Sequence, residues 1–142
     1  MKYFTISELE YSAKAKERGI VNKMPAHLMP NAVALVDKVL DPLRAAYGKP
    51  ISVNSGYRNA VVNKLVGGGA TSQHLTAQAA DITVRDLANN QKLFQMIIDM
   101  KLPFDQLINE NGFQWVHVSH RADGKNRGEV LEYKNGKYFK IR

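Results

Sequence analysis

The stretch Phe104-Asp105-Gln106-Leu107-Ile108-Asn109-Glu110-Asn111-Gly112-Phe113-Gln114-Trp115-Val116-His117-Val118-Ser119 reads as two strands around an Asn-Gly dipeptide. Asn-Gly is a strong hairpin signal because both central positions of a type I′ turn need positive φ. A two-residue turn pairs Glu110 with Phe113 and Gln106 with His117. Glu110 and His117 then share a sheet face, roughly 13 Å apart at about 3.3 Å per residue. Asp105 falls on the other face in this register. A second hairpin is predicted at Asn135-Gly136, between Val130–Tyr133 and Tyr138–Ile141.

Upstream of these strands the pattern turns helical. Ser7-Glu8-Leu9-Glu10 matches a capping box, predicting a helix from Glu8 to Arg18 stopped by Gly19. Val33, Val36, Leu40, Leu43 and Tyr47 recur at helical spacing, predicting an amphipathic helix over Asn31–Tyr47 that Pro42 bends. Ile51–Ser55 alternates as a strand does, Asn59–Val66 reads as a short helix, and Gly67-Gly68-Gly69 opens a loop. Ala79–Val84 reads as a buried strand and Asp86–Met100 as a second amphipathic helix. Helices first and antiparallel strands last predict an α+β domain, with N-terminal helices packed on a small antiparallel sheet. A chain of 142 residues fits a single domain spanning 1–142.

Composition narrows the chemistry. The chain has no cysteine, so disulfides and thiolate metal sites are excluded and histidine and carboxylate remain as strong ligands. Its net charge of +7 suits either solubility or attraction to a polyanion such as the bacterial cell wall. The basic residues are scattered rather than clustered with aromatics, which argues against nucleic acid. No stretch approaches a membrane span. Met1-Lys2-Tyr3-Phe4-Thr5-Ile6-Ser7-Glu8 has no apolar h-region, so no signal peptide is expected and the protein is expected in the cytoplasm after synthesis.

Two histidines and an aspartate stand out. His74 follows a glycine-rich loop, Asp81 ends an apolar run, and His117 lies in an apolar strand beside Trp115. Taken singly, Asp81 could cap a helix or form a buried salt bridge, and His117 could be a satisfied core histidine. Together they read as a three-ligand metal site, a donor set that suits zinc and leaves one position open for water. His27 and His120 read as ordinary histidines, His120 with a secondary claim through its nearness to His117.

The motifs Ser55-Gly56-Tyr57-Arg58-Asn59, Asn63, Val66-Gly67-Gly68, Ser72-Gln73-His74, Ala79-Ala80-Asp81-Ile82 and Trp115-Val116-His117-Val118-Ser119 come in the order and spacing of a known family. From roughly Phe4 to Val130 the chain resembles the M15 zinc peptidases, closest to the D-alanyl-D-alanine carboxypeptidase-like branch found in bacteria and phage endolysins. The resemblance implies a hedgehog/DD-peptidase-like fold and cleavage of peptide bonds next to D-amino acids in peptidoglycan stem peptides. It implies one Zn2+ held by His74, Asp81 and His117, with Arg58 and Ser72 facing the substrate. Many relatives carry Asp or Glu three residues before the last histidine, where this chain has Gln114. Glu110 is the expected general base in its place, with Asp105 and His120 behind it. The family's glycine three residues after the first histidine is Ala77 here, which matters if that backbone needs positive φ.

The expected function is therefore a DD- or LD-peptidase, expected to be monomeric, that reaches the wall when a lysis system releases it. The alternative is a zinc-containing module that grips peptidoglycan or a protein without cutting. DNA binding from charge alone is a remote third reading.

Overall fold

A computed structural model describes all residues 1–142. The chain forms α1 (Ile6–Glu10), α2 (Ala13–Glu17), α3 (Met29–Leu35), a π-helical turn (Val36–Leu40), α4 (Asp41–Tyr47), β1 (Ser52–Ser55), α5 (Ala60–Leu65), β2 (Ala79–Thr83), α6 (Leu87–Asp99), β3 (Gln106–Glu110), β4 (Trp115–Ser119), β5 (Glu129–Lys134) and β6 (Lys137–Lys140). The six strands make one sheet in the order β1-β2-β4-β3-β5-β6. This is an α+β architecture. No helix is long and apolar enough to cross a membrane.

Strand alternation divides the sheet chemically. Ala80, Ile82, Leu107, Val116, Val118 and Val130 face the helices and join one core with Val36, Val39, Leu40 and Leu43, and with Leu93 and Ile97 of α6. The opposite face carries Asp81, Ile108, Glu110, Trp115, His117 and Leu131, which line a cleft. One face packs and the other does chemistry, as the two-residue period of a strand requires.

Several local expectations are corrected. The capping box forms at Thr5 and Glu8, two residues earlier than Ser7 and Glu10, and the first helix breaks at Tyr11 into two short ones. The predicted Asn31–Tyr47 helix starts at Met29 and widens into a π turn over Val36–Leu40, just before Pro42. A proline ring cannot sit against the carbonyl of residue i−4, and a π turn moves that carbonyl away. The sheet is antiparallel except between β3 and β5, where Gln106 pairs with Glu129 and Glu110 with Tyr133 in parallel. The chain after β4 crosses back to the start of β3, where Gly128 and Glu129 donate their N–H groups to Phe104 and Asp105.

The first hairpin is also corrected. Glu110 pairs with Trp115 and Ile108 with His117, so the turn is wider than Asn111-Gly112. Asn111, Gly112 and Phe113 all take positive φ, and the Gln114 N–H donates to the Glu110 carbonyl. This left-handed loop has one anchor within the hairpin and one on another element. Phe113 N donates to Asn109 Oδ1 at 2.6 Å. Asn90, buried on α6, donates to the Phe113 carbonyl at 2.9 Å and accepts from Val84 N at 2.8 Å. The second hairpin forms as expected, with Asn135 and Gly136 at positive φ between Lys134 and Lys137.

Asn90 therefore ties α6, the end of β2 and the hairpin loop together. Asn90→Ala is expected to cost about 3 kcal/mol in urea unfolding, because buried backbone groups lose their partners. A loss below about 1 kcal/mol would show that the loop is held by something else.

Candidate metal centre

The site is assembled from neighbouring positions on one sheet face. Ser55 pairs with Asp81, Asp81 with His117, His117 with Ile108, and Ile108 with Leu131, forming a row across the strands. The next row on the same face runs Trp115, Glu110, Tyr133, Tyr138. Glu110 is thus a diagonal neighbour of His117, about 7–8 Å away between backbones rather than 13 Å. The wider turn is what brings it there.

His74 arrives from the loop before β2. Asn59 caps α5, and Ser72 caps the short 3₁₀ turn Gln73–Thr76 by accepting the His74 N–H at 3.2 Å. His74 Nδ1 donates to the Gly56 carbonyl at 2.6 Å, which turns Nε2 towards Asp81. A side chain at Gly56 would overlap the Leu9 backbone, so only glycine lets that carbonyl approach the imidazole. The turn ends at Ala77, whose φ of 58° is left-handed. An L-residue there costs about 1 kcal/mol, so the glycine of the family pattern has a physical reason that this chain forgoes.

The three donors converge. Asp81 Oδ1 lies 3.4 Å from His74 Nε2 and 3.0 Å from His117 Nδ1. Ligands about 2.0–2.1 Å from a tetrahedral ion lie about 3.3 Å from one another, so these separations fit a shared zinc. The other Asp81 oxygen is taken up by Arg58 Nη2 at 3.2 Å. Arg58 is itself fixed by Ser55 Oγ at 2.9 Å and Asn63 Oδ1 at 3.3 Å. The arginine expected to face substrate lines the cleft and also orients the Asp81 carboxylate. Ser72 lines the cleft too.

Electrostatics separates the acids. Burial alone would push the Asp81 carboxyl up, but the charges and hydrogen bonds of His74 and His117 outweigh it and hold it well below the usual carboxylate range. Glu110 goes the other way. Burial and then the Asp81 charge raise its carboxyl from 4.5 to about 7, against the opposing pull of His117 and Arg58. Asp105 is saturated with donors: Arg127 Nε at 3.0 Å and Nη2 at 2.8 Å, and Gln73 Nε2 at 2.9 Å. Against the upward effect of burial, these bonds lower its carboxyl to about 2. A carboxylate so occupied is a poor base. His120 bonds the Pro103 carbonyl at 2.6 Å and does not line the cleft. Gln114 is exposed on the hairpin loop.

The cleft holds about 770 Å³. Beyond the residues singled out from sequence, its walls include Gln73, Gln106, Arg121, Arg127, Trp115, Tyr133 and Tyr138. Strand register could have found Tyr133 and Tyr138, had the parallel pairing of β5 been legible.

A buried His-Asp-His cluster on the sheet face of an α+β domain, with a carboxyl poised near neutrality beside it, defines a metal-hydrolase type of site. The chain belongs to the Peptidase M15 family, whose profile matches residues 2–119. It is also 38% identical over 80 residues to the zinc D-Ala-D-Ala carboxypeptidase of Streptomyces albus G, a match covering 56% of this chain. The matched region spans 30% of the length of that relative. The β5–β6 hairpin lies outside the family match.

Glu110 also carries a stability signature. Its carboxyl binds protons more tightly in the folded state, so burying the charge opposes folding as pH rises from about 4.5 towards 7. Below pH 4 both states are protonated and the cost vanishes. In metal-free protein, Glu110→Gln should raise stability at pH 8 by on the order of 1 kcal/mol, discounted for partial exposure. At pH 4 the variant and parent should unfold at the same urea concentration. A variant less stable than the parent at pH 8 would contradict the raised pKa.

Proposed function

We propose that this chain is a zinc-dependent peptidase that cuts peptide bonds beside D-amino acids in bacterial cell-wall stem peptides. The observation that carries the reading is the convergence of His74 Nε2, Asp81 Oδ1 and His117 Nδ1. Glu110 stands in the adjacent row. Family membership and the zinc D-Ala-D-Ala carboxypeptidase relative support it. A net charge of +7 favours approach to an anionic wall, the setting in which a phage endolysin works.

When bound, zinc supplies Lewis acidity and makes a water molecule acidic near neutral pH. The protein's groups do the rest. Glu110 accepts a proton from the attacking water on a carboxylate oxygen and returns it to the leaving amine nitrogen. Arg58 holds Asp81 in place and offers its remaining N–H groups to charge developing on the scissile carbonyl oxygen. Ser72 holds the His74 turn and presents its hydroxyl to the cleft. The non-catalytic module rested on Gln114, and Glu110 on the sheet face weakens it.

His74→Ala and His117→Ala should each lose stoichiometric zinc, read by elemental analysis after dialysis. Either variant keeping one equivalent would remove the ligand assignment. Glu110→Gln should keep its zinc and lose about 10²–10⁴-fold in turnover of purified peptidoglycan. Unchanged turnover would take the base role from Glu110. A chelator should abolish release of new amino groups by the parent protein, and added zinc should restore it.

A further inference from the structure

Asp105 stands at the edge of the cleft, wholly buried, and the chemistry above makes no use of it. A buried carboxylate persists only where partners compensate its charge. Asp105 has four donors: Arg127 N at 2.9 Å, Nε at 3.0 Å and Nη2 at 2.8 Å, and Gln73 Nε2 at 2.9 Å. The three from Arg127 engage both oxygens. The fourth comes from the residue next to His74, on the far side of the sheet sequence.

Gln73 opens the short turn that delivers His74. Other bonds to this turn come from the β1 and α3 side. The Gly56 carbonyl takes the His74 ring, Arg58 N donates to the His74 carbonyl at 3.0 Å, and Asn31 Nδ2 donates to the Thr76 carbonyl at 3.0 Å. The Gln73 side chain reaches the other way, to the β3–β4 half of the sheet. There Asp105 N donates to the Ser119 carbonyl at 2.8 Å, and Ser119 is two residues from His117 on β4. Hydrogen bonds and short chain segments thus connect the two imidazoles through Gln73, Asp105 and Ser119. An ion accepts ligand distances only within about 0.2 Å, and a turn anchored on one side can swing about that side. A glutamine fits this place because its amide donates without carrying a charge towards the metal donors. A carboxylate fits opposite because it accepts from an amide and a guanidinium together.

We propose that Gln73 is a positioning residue for the metal centre: through Asp105, which Arg127 clamps, it locks the His74 turn to the strand that carries His117 and so sets how tightly the ion is held. The proposal rests on the His74–Asp81–His117 ion site and is independent of which bond the protein cuts. A network that served the fold alone would change stability and leave ion affinity as it is.

The test measures zinc affinity by competition with a chromogenic chelator, the visible spectrum of Co2+-loaded protein, and urea unfolding of metal-free protein to verify that each variant is folded. Gln73→Met keeps the length of the side chain and removes its donor. It should weaken zinc binding by about tenfold and change the Co2+ bands, which report ligand geometry. Arg127→Met should also weaken zinc binding, but should add less than about twofold in the Gln73→Met background, because both act through one carboxylate. Zinc affinity within about twofold of the parent in either folded single variant overturns the proposal, and so does a double variant whose loss is the product of the two single losses. A parent protein that binds no zinc removes the metal centre and this proposal with it. Absence of peptide cleavage by the zinc-loaded parent removes the peptidase reading and leaves this role of Gln73 in place.

Discussion

Asp81 is a carboxylate placed where an apolar side chain would otherwise go. It sits in the middle of β2, a strand buried along its whole length, and it is only 7% exposed itself. A buried, ionised carboxyl is tolerated only with charge and hydrogen bonds around it. Nearly every unusual feature of the site supplies these. Arg58 takes one oxygen, His74 and His117 approach the other, Gly56 holds His74, and Ser55 and Asn63 hold Arg58. The glycine loop and the cap at Ser72 exist, physically, to deliver His74 to that oxygen.

The second constraint is sheet register. The β3–β4 turn is two residues longer than a tight hairpin, so Glu110 keeps its face and stands two residues nearer to His117 along the ladder. With a two-residue turn, Glu110 would be stranded at the far end of the hairpin. With the left-handed loop of Asn111–Gln114 it enters the row beside the metal donors. The loop depends on Asn90, more than twenty residues upstream on another element. The position of the proposed base is thus set by the local Asn109 contact together with tertiary hydrogen bonding from Asn90.

This explains what was legible in the sequence and what was not. The helices and strands follow from periodicity, and Asn135-Gly136 makes the two-residue turn its composition suggests. The residues of the metal cluster stood out because each sits in an apolar context that a polar side chain enters only with a partner. The Asn111-Gly112 turn misled because positive φ at those two positions is shared by a type I′ turn and by the longer left-handed loop. Asn109, four residues before Phe113, and Asn90, on another element, favour the longer loop, and the second of these acts across space. The parallel placement of β5 was hidden for a similar reason. Nothing within Glu129–Lys134 says which edge it joins, and the choice is made by the crossover after β4. The roles of Asp105 and Arg127 needed coordinates, since a bidentate pair 22 residues apart leaves no local trace.

The cluster is preorganised in a way that makes ion uptake a local exchange. Between Asp81 Oδ1 and His117 Nδ1, 3.0 Å apart, a proton serves as the bridge when no cation is present. His74 keeps Nδ1 on the Gly56 carbonyl, so Nε2, 3.4 Å from Asp81 Oδ1, is the atom that would face the ion. For a neutral His117 ring, an ion at Nδ1 would require the ring proton to sit on Nε2 instead, a change of tautomer with no net loss of a proton. Asp81 need not move, because Arg58 fixes its second oxygen in either state. The folded protein consequently holds its donors near ligand spacing through hydrogen bonds alone. The cost of gathering them is met in folding the sheet and its core, so little reorganisation is left for the binding step.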